Sequence, residues 1–414
     1  MQRSTSRWIA AAGIMTAGAL VLTACGGSQF GGEESTPGGD SGLSVLIGSS
    51  GEAETTAVQD AVAAWSKESG TGANVSAASD LNQQLSQGFA AGKPADVFYV
   101  SLDSLAGFAA NGSLYAYGDQ LSNRDDFYPS LVEAFTYDGK FYCAPKDFST
   151  LGLVINDALW AEAGLTETDI PTTWDELTAV TATLANNGRP GLVLSPEYAR
   201  VGAFMVQAGG TLLNADQTEA TVDTPENAAG LDYVKSLLDS GSAQFTTDLG
   251  SGWGGEAFGK EQAAMTIEGN WITGALSADY PDIEYTIAEL PAGPAGPGTL
   301  QFTNCWGIAE DSPNKEAALD LVEFLTSTDS QLEFSDAFGV MPSVQSAAED
   351  WKNANPALVP FLNSVDFAAS MPSLRGASDV ISDLNSQLES LATGNPAAML
   401  ASAQRNMEAV VSGR

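Results

Sequence analysis

Histidine is absent from all 414 residues. That removes the commonest general base near neutral pH, every Ser-His-Asp arrangement and the commonest metal ligand in one step. An enzyme built on this chain would have to work with carboxylates or tyrosine. Bases are scarce as well: 16 Lys and Arg stand against 52 Asp and Glu, for a formal net charge of -36. Phosphate backbones are held by clustered cations, so no nucleic-acid partner is expected. The acid excess reads first as a solvated surface and, more sharply, as a site for cations. Charged residues make up 16% and hydrophobic ones 44%, enough to bury a large core, and the length calls for two or three domains.

The first segment has its own logic. Arg3 and Arg7 precede an uncharged apolar run over residues 8–22, the pattern of a secretory signal. No second run of that kind follows. Leu22-Thr23-Ala24-Cys25 then resembles a bacterial lipobox, with small residues before the cysteine; an ordinary signal peptide with a chance cysteine is the alternative. On the lipobox reading, residues 1–24 are a lipoprotein signal peptide and Cys25 carries diacylglycerol, whose two chains give a stable membrane anchor outside the cytoplasm. Residues 25–42, rich in Gly, Ser and acid with no apolar period, read as a flexible tether. Cys143 and Cys305 then remain as an even pair in an oxidising compartment. A disulfide is expected, with two buried free thiols as the alternative.

The body alternates strand and helix signals. LSVLIGSS reads as a strand, Val58, Val62 and Trp65 share a helix face ending at Gly70, and ADVFYV reads as a buried strand. Strand, helix, strand implies a parallel sheet with ligand loops at its carboxyl ends. Thr173 and Glu176 form a capping-box pattern before a helix that Gly188 should stop. GLVLSP, AAMTIEG and IEYTIAEL supply more strands, and Ser312-Pro313 opens a helix through Leu325. The class is α/β in two units. One stretch, FYCAPKDFSTLGLVIN, breaks a strand-like run with Lys146 and Asp147 before turning apolar again, which suits a crossing between units.

Taken together, the lipobox, ADVFYVSLDSLAGFAANGSL, FYCAPKDFSTLGLVIN, TTWDEL, AAMTIEGNW and NCWGIAEDSPNKEAALDLVEFLTS resemble, in order and spacing, the extracellular solute-binding proteins of carbohydrate ABC transporters, the superfamily of maltose-binding protein. The resemblance implies a two-lobe fold with a hinge and an interlobe cleft, residues 43–148 and 305–340 forming one lobe and residues 149–304 and 341–414 the other. It implies a lipid-anchored monomer that captures an oligo- or disaccharide by closure and delivers it to membrane permease subunits, with no cofactor and no catalysis. Cys143 and Cys305 would lie on neighbouring crossing segments.

Sugars present hydroxyls and flat apolar faces, so carboxylates, amides and aromatics at segment ends are the candidate ligand-binding residues. Trp271 matches a stacking aromatic of the family, with Glu268 and Asn270 beside it. Asp103 matches a polar sugar-binding position, or else caps a helix. Asp147 and Ser149 lie in the crossing, where Lys146 reads as a salt-bridge partner. Glu52 either faces the cleft or caps the next helix. Tyr198 matches another aromatic position, Trp306 would wall the hinge side, and Trp253 is an exposed-loop candidate. The chain also departs from the pattern: MPSLRGASDVISDL lacks the stacking tryptophan that maltose-binding protein carries there and offers Arg375 instead, and Val100 stands where a tryptophan would. Two other readings remain, a binder of polyamines or other cations and a secreted glycoside hydrolase using paired carboxylates.

Overall fold

The computed structural model describes residues 42–186 and 188–413. The expected signal peptide, the lipidation site Cys25 and all of the expected tether except Gly42 lie outside the described residues. No helix among the described residues is long and apolar enough to cross a membrane.

Strand Leu43–Ile47 buries Leu43, Val45 and Ile47 and pairs in parallel with Ala73–Ala77 and Val97–Ser101. Helix Glu52–Ser69 crosses between the first two, buries Val58, Ala61, Val62 and Trp65, and stops at Gly70 with φ 74, a left-handed conformation that glycine adopts without a Cβ penalty. At the other end of the sheet, Leu192–Leu194 pairs in parallel with Ala243–Phe245 and Met265–Gly269. Two long antiparallel strands, Ala144–Asn156 and Thr299–Ile308, join these halves into one ten-stranded sheet. Tyr285–Ala288 and Ala368–Ser370 pair alongside the two long strands.

The side chains divide into two principal cores, one for each lobe of this α/β fold. Val45, Val97, Ala144, Trp306 and Leu321 belong to the first; Leu151, Leu153, Leu192, Phe204, Leu384 and Met407 belong to the second. Ala144 and Leu151 lie on the same strand, so Lys146–Ser149 is where the chain passes from one core to the other. Val344 and Ala347 also pack in the first core, beyond position 340 where the sequence reading passed into the second lobe. A smaller cluster of Phe148, Met341, Trp351 and Phe361 packs beside the crossing.

Cys143 and Cys305 are fully buried and joined by a disulfide, with Cα atoms 5.6 Å apart across a sequence separation of 162. The bond ties strand Thr299–Ile308 to the residue just ahead of strand Ala144–Asn156, where both enter the first core. Next to it the register shifts by a bulge between Asn304 and Cys305.

Local capping departs from expectation in two places. Thr173 Oγ1 accepts from the Glu176 N–H at 3.3 Å, but the Glu176 carboxylate accepts from the N–H and hydroxyl of Thr172 rather than from Thr173. The helix ends at Leu184, ahead of Gly188, whose φ of 85 places it in the following turn.

Candidate ligand-binding site

A cavity of about 710 Å³ lies where the lobes meet, and both cores contribute to its lining. On the first-lobe side its groups come from sequence-local geometry. Strand Leu43–Ile47 ends in Gly48-Ser49-Ser50, and helix Glu52–Ser69 begins immediately after, which brings Glu54 back under the strand end. The Ser50 N–H and hydroxyl both donate to Glu54 Oε2 at 2.7 Å, and the Tyr99 hydroxyl donates to Oε1 at 3.0 Å. Lys146, arriving on the crossing strand, places Nζ 3.0 Å from Glu54 Oε1 and also bonds Asp147. Its ammonium stands 4.8 Å from the Tyr99 ring centre and 5.5 Å from that of Phe338, in cation–π range.

Two buried carboxylates share one ammonium, and they respond differently. Burial pushes Glu54 upward, but Lys146 and the two Ser50 bonds more than reverse this and hold it below the ordinary carboxylate range. Asp147 is lifted above its usual value because burial, reinforced by Glu54, outweighs Lys146. Burial and the adjacent Glu54 and Asp147 charges keep the Tyr99 hydroxyl a phenol that donates. The group is therefore a polarised, hydrogen-bonding wall.

The second lobe supplies the aromatic side. Strand Met265–Gly269 carries Glu268 inward, and Trp271 opens the next helix just past it. The Trp271 indole N–H donates to Glu268 Oε2 at 3.0 Å, and Arg200 grips the same oxygen through Nε at 3.1 Å and Nη2 at 2.6 Å. The Arg200 guanidinium lies 5.2 Å from the indole ring centre, and Phe302 meets the ring edge-on at 5.4 Å. Trp271 is thereby fixed at its edge and on one face, yet it stays 37% exposed, the one large hydrophobic side chain so exposed among the described residues. A polarisable ring held rigid in a wet cleft is a stacking platform. Glu268 itself is fully buried; burial raises its carboxyl despite Arg200, and it positions the indole rather than facing the cavity. Gly254 is required beside it, since a Cβ there would come within 2.6 Å of Glu268 Oε1.

The sequence-selected residues separate accordingly. Asp103, Asp147, Ser149, Asn270 and Trp271 line the cavity together, as does Lys146. Asp103 is not a helix N-cap: Ser101 holds that position, and Asp103 sits in the first turn accepting from the Ser101 hydroxyl. Asn270 donates from Nδ2 to the Gly339 carbonyl at 2.7 Å, while its buried Oδ1 has no partner among the described residues. Glu52, Tyr198, Trp253, Trp306 and Arg375 do not line it. Glu52 is exposed at the first position of its helix, after Gly51 as N-cap. Tyr198 is 3% exposed in the second core, because its helix turns that face inward, and Trp306 is 1% exposed in the first, packed edge-on against Tyr99 at 4.7 Å. Trp253 packs with the satellite cluster of Val154, Phe258 and Ile272, and Arg375 is exposed outside the lining.

Sequence reasoning passed over several lining residues. Glu54 is two positions from Glu52 and in phase with Val58, Ala61, Val62 and Trp65, so a carboxylate on the apolar stripe was the available signal. Phe302 and Phe338 carried no signal apart from the fold. The helix Ala377–Leu388 lines the cavity through Ser378, Ile381, Ser382 and Asn385, spaced along a single face.

A model of the family described as bacterial extracellular solute-binding protein matches residues 60–360. A binding protein of Brucella abortus (strain 2308) is 26% identical over 347 residues, 80% of this chain and 83% of that one. The diacetylchitobiose binding protein DasA of Streptomyces coelicolor is 24% identical over 281 residues, 66% of each. Among solved structures, the cyclic alpha-maltosyl-1,6-maltose binding protein from Arthrobacter globiformis superposes with a TM-score of 0.79 and 26% identity, covering 90% of this chain and 99% of that one.

Proposed function

Because the chain belongs to the bacterial extracellular solute-binding proteins, we propose that its cleft captures an uncharged di- or oligosaccharide and passes it unaltered to the permease of an ABC transporter. The observation that carries the reading is the fixed indole of Trp271 in one cavity with Asp103, Asp147, Ser149 and Asn270. Acceptors beside a platform match the two surfaces of a pyranose. The sugar-binding relatives from Arthrobacter and Streptomyces support the same class of ligand. Closure follows from differential affinity: a ligand touching both lobes favours the state in which both reach it. The lobes comprise residues 43–148 with 305–347 and residues 149–304 with 348–414, bending at the crossing strands. The protein acts as a monomer outside the cytoplasm, tethered by residues 25–42 to a lipid on Cys25 once residues 1–24 are removed.

Calorimetric titration of the chain from residue 42 onward against a saccharide panel and spermidine tests the ligand class. Saccharide heat that weakens about ten- to a hundred-fold in Trp271→Ala, as expected for losing a well-packed aromatic anchor, supports the proposal. Heat with spermidine alone overturns it in favour of the cationic reading, which the three lining carboxylates Glu54, Asp103 and Asp147 against one Lys146 would otherwise suit. Cys25→Ser in the full chain is expected to move the protein from the detergent phase to the aqueous phase.

A further inference from the structure

The cleft is chemically lopsided. Its carboxylates, Glu54, Asp103 and Asp147, and its ammonium, Lys146, all stand on the first lobe or the crossing strand. The remaining wall is different in kind. Helix Ala377–Leu388 sends Ala377, Val380, Leu384 and Leu388 into the second core and turns Ser378, Ile381, Ser382 and Asn385 to the cavity. Met371 and Pro372, a short loop ahead of the helix, complete that wall, and Met371 packs against both cores. These six lining residues, Met371, Pro372, Ser378, Ile381, Ser382 and Asn385, carry no charge and no aromatic ring. The Asn385 carboxamide oxygen is already engaged, accepting from the Tyr198 N–H at 2.7 Å.

A sugar hydroxyl seated directly on Met371, Pro372 and Ile381 would lose water and find no hydrogen-bond partner on those three side chains, and an unsatisfied polar group is costly to bury. A methyl group placed there loses nothing on leaving water and gains apolar contact. The polar-and-aromatic region described above holds a sugar ring by its hydroxyls and its flat face. The aliphatic wall then selects what that ring carries.

We propose that the wall formed by Met371, Pro372 and Ile381 is a subsite for a methyl-terminated substituent, so that the preferred ligand is a saccharide carrying acetamido or 6-deoxy groups rather than a plain hexose oligomer. This rests on the saccharide reading of the cleft and deepens it.

Matched sugars test it by calorimetry on the chain from residue 42 onward: cellobiose against N,N'-diacetylchitobiose for the acetamido group, and D-galactose against D-fucose for the 6-deoxy group, with maltose as a plain reference. The methyl-bearing member of at least one pair is expected to bind about four-fold or more tighter, the factor for one buried methylene-sized group. The pair that shows the preference identifies the source of the methyl. Ile381 also packs against the second core, so Ile381→Ser should lower the melting temperature, but in the protein that stays folded it should bring the methyl-to-plain affinity ratio close to one, a change that a folding defect, which scales both affinities alike, would not give. Equal or tighter binding of the plain members, or a preference that survives Ile381→Ser, overturns the subsite and leaves saccharide capture standing. Binding of maltose with neither methyl-bearing sugar does the same. No heat from any of the five sugars overturns both.

Discussion

Replacing Lys146 with methionine keeps the unbranched stem and removes the ammonium that two buried carboxylates share. Glu54 and Asp147 would remain in place, 3% and 7% exposed, without their counter-charge. Removing one member of a buried ion pair costs about 3–5 kcal/mol, because the surviving charge is left without compensation. Unfolding entropy of about 2.1 cal/mol/K per residue over the roughly 370 described residues gives about 0.8 kcal/mol/K, so Lys146→Met should lower the melting temperature by about 4–6 °C at pH 7. The pH dependence follows from the signs. In the native protein Glu54 is held below its ordinary value of 4.5, so its contribution is present above that value and is lost as pH falls through the folded one. In the variant only the Ser50 bonds still oppose burial at Glu54 and the Lys146 charge no longer opposes it at Asp147, so both folded-state values rise, and the penalty is greatest at neutral pH and relieved as pH falls and the carboxyls take up protons. Asp147, already raised in the native protein, gains less from acid there than in the variant. The gap between the two proteins should therefore shrink between pH 7 and about pH 5. Differential scanning calorimetry across that range measures it. A gap below 1 °C at pH 7, or one that widens on acidification, refutes the reasoning.

Two further outcomes follow from the same structure. Asp147 is raised by burial, so its carboxylate is lost on mild acidification; saccharide affinity should fall about ten-fold as pH drops through that raised value, since a hydrogen bond to a charged group contributes about 1.5–3 kcal/mol. In Asp147→Asn the pH profile should be flatter, and titration calorimetry at a series of pH values decides. Replacing Cys143 and Cys305 with serine removes a link spanning 162 positions and should destabilise the protein by up to about 5 kcal/mol on the loop-entropy model. Denatured, unreduced protein from residue 42 onward should show no free thiol, and finding two would remove the basis for that expectation.

Much of this arrangement was legible in the sequence where local chemistry dictates it. The helix ending at Gly70, the strands around Val97, Leu192 and Met265, and the polar break at Lys146–Asp147 follow from periodicity and composition, and each stands in the structure. Trp271 stood out because it matches a stacking aromatic of the resembled family and has polar neighbours, and Asn270 and Glu268 do flank it, although Glu268 serves from behind. Tyr198 and Trp306 misled because a motif position fixes where a residue falls along the chain but not which way its side chain turns. Tyr198 follows the strand end yet points into the second core, and Trp306 shares a strand with half-buried Asn304 yet packs on Tyr99. Glu54 was missed for the opposite reason: as an acid in a very acidic chain it looked like surface. The cavity face of helix Ala377–Leu388 was hidden because serines and one isoleucine at helical spacing look the same at a solvent boundary as at a cleft.

The ten-stranded sheet runs unbroken through both halves, and this restricts how they can move. Sliding one half past the other would tear the ladder between the two long strands, where the disulfide adds a covalent stop. Bending and twisting across the bulge at Asn304 preserve those rungs. Aperture and torsion are thus the cheap coordinates, and a guest is registered as an angle rather than as a displacement.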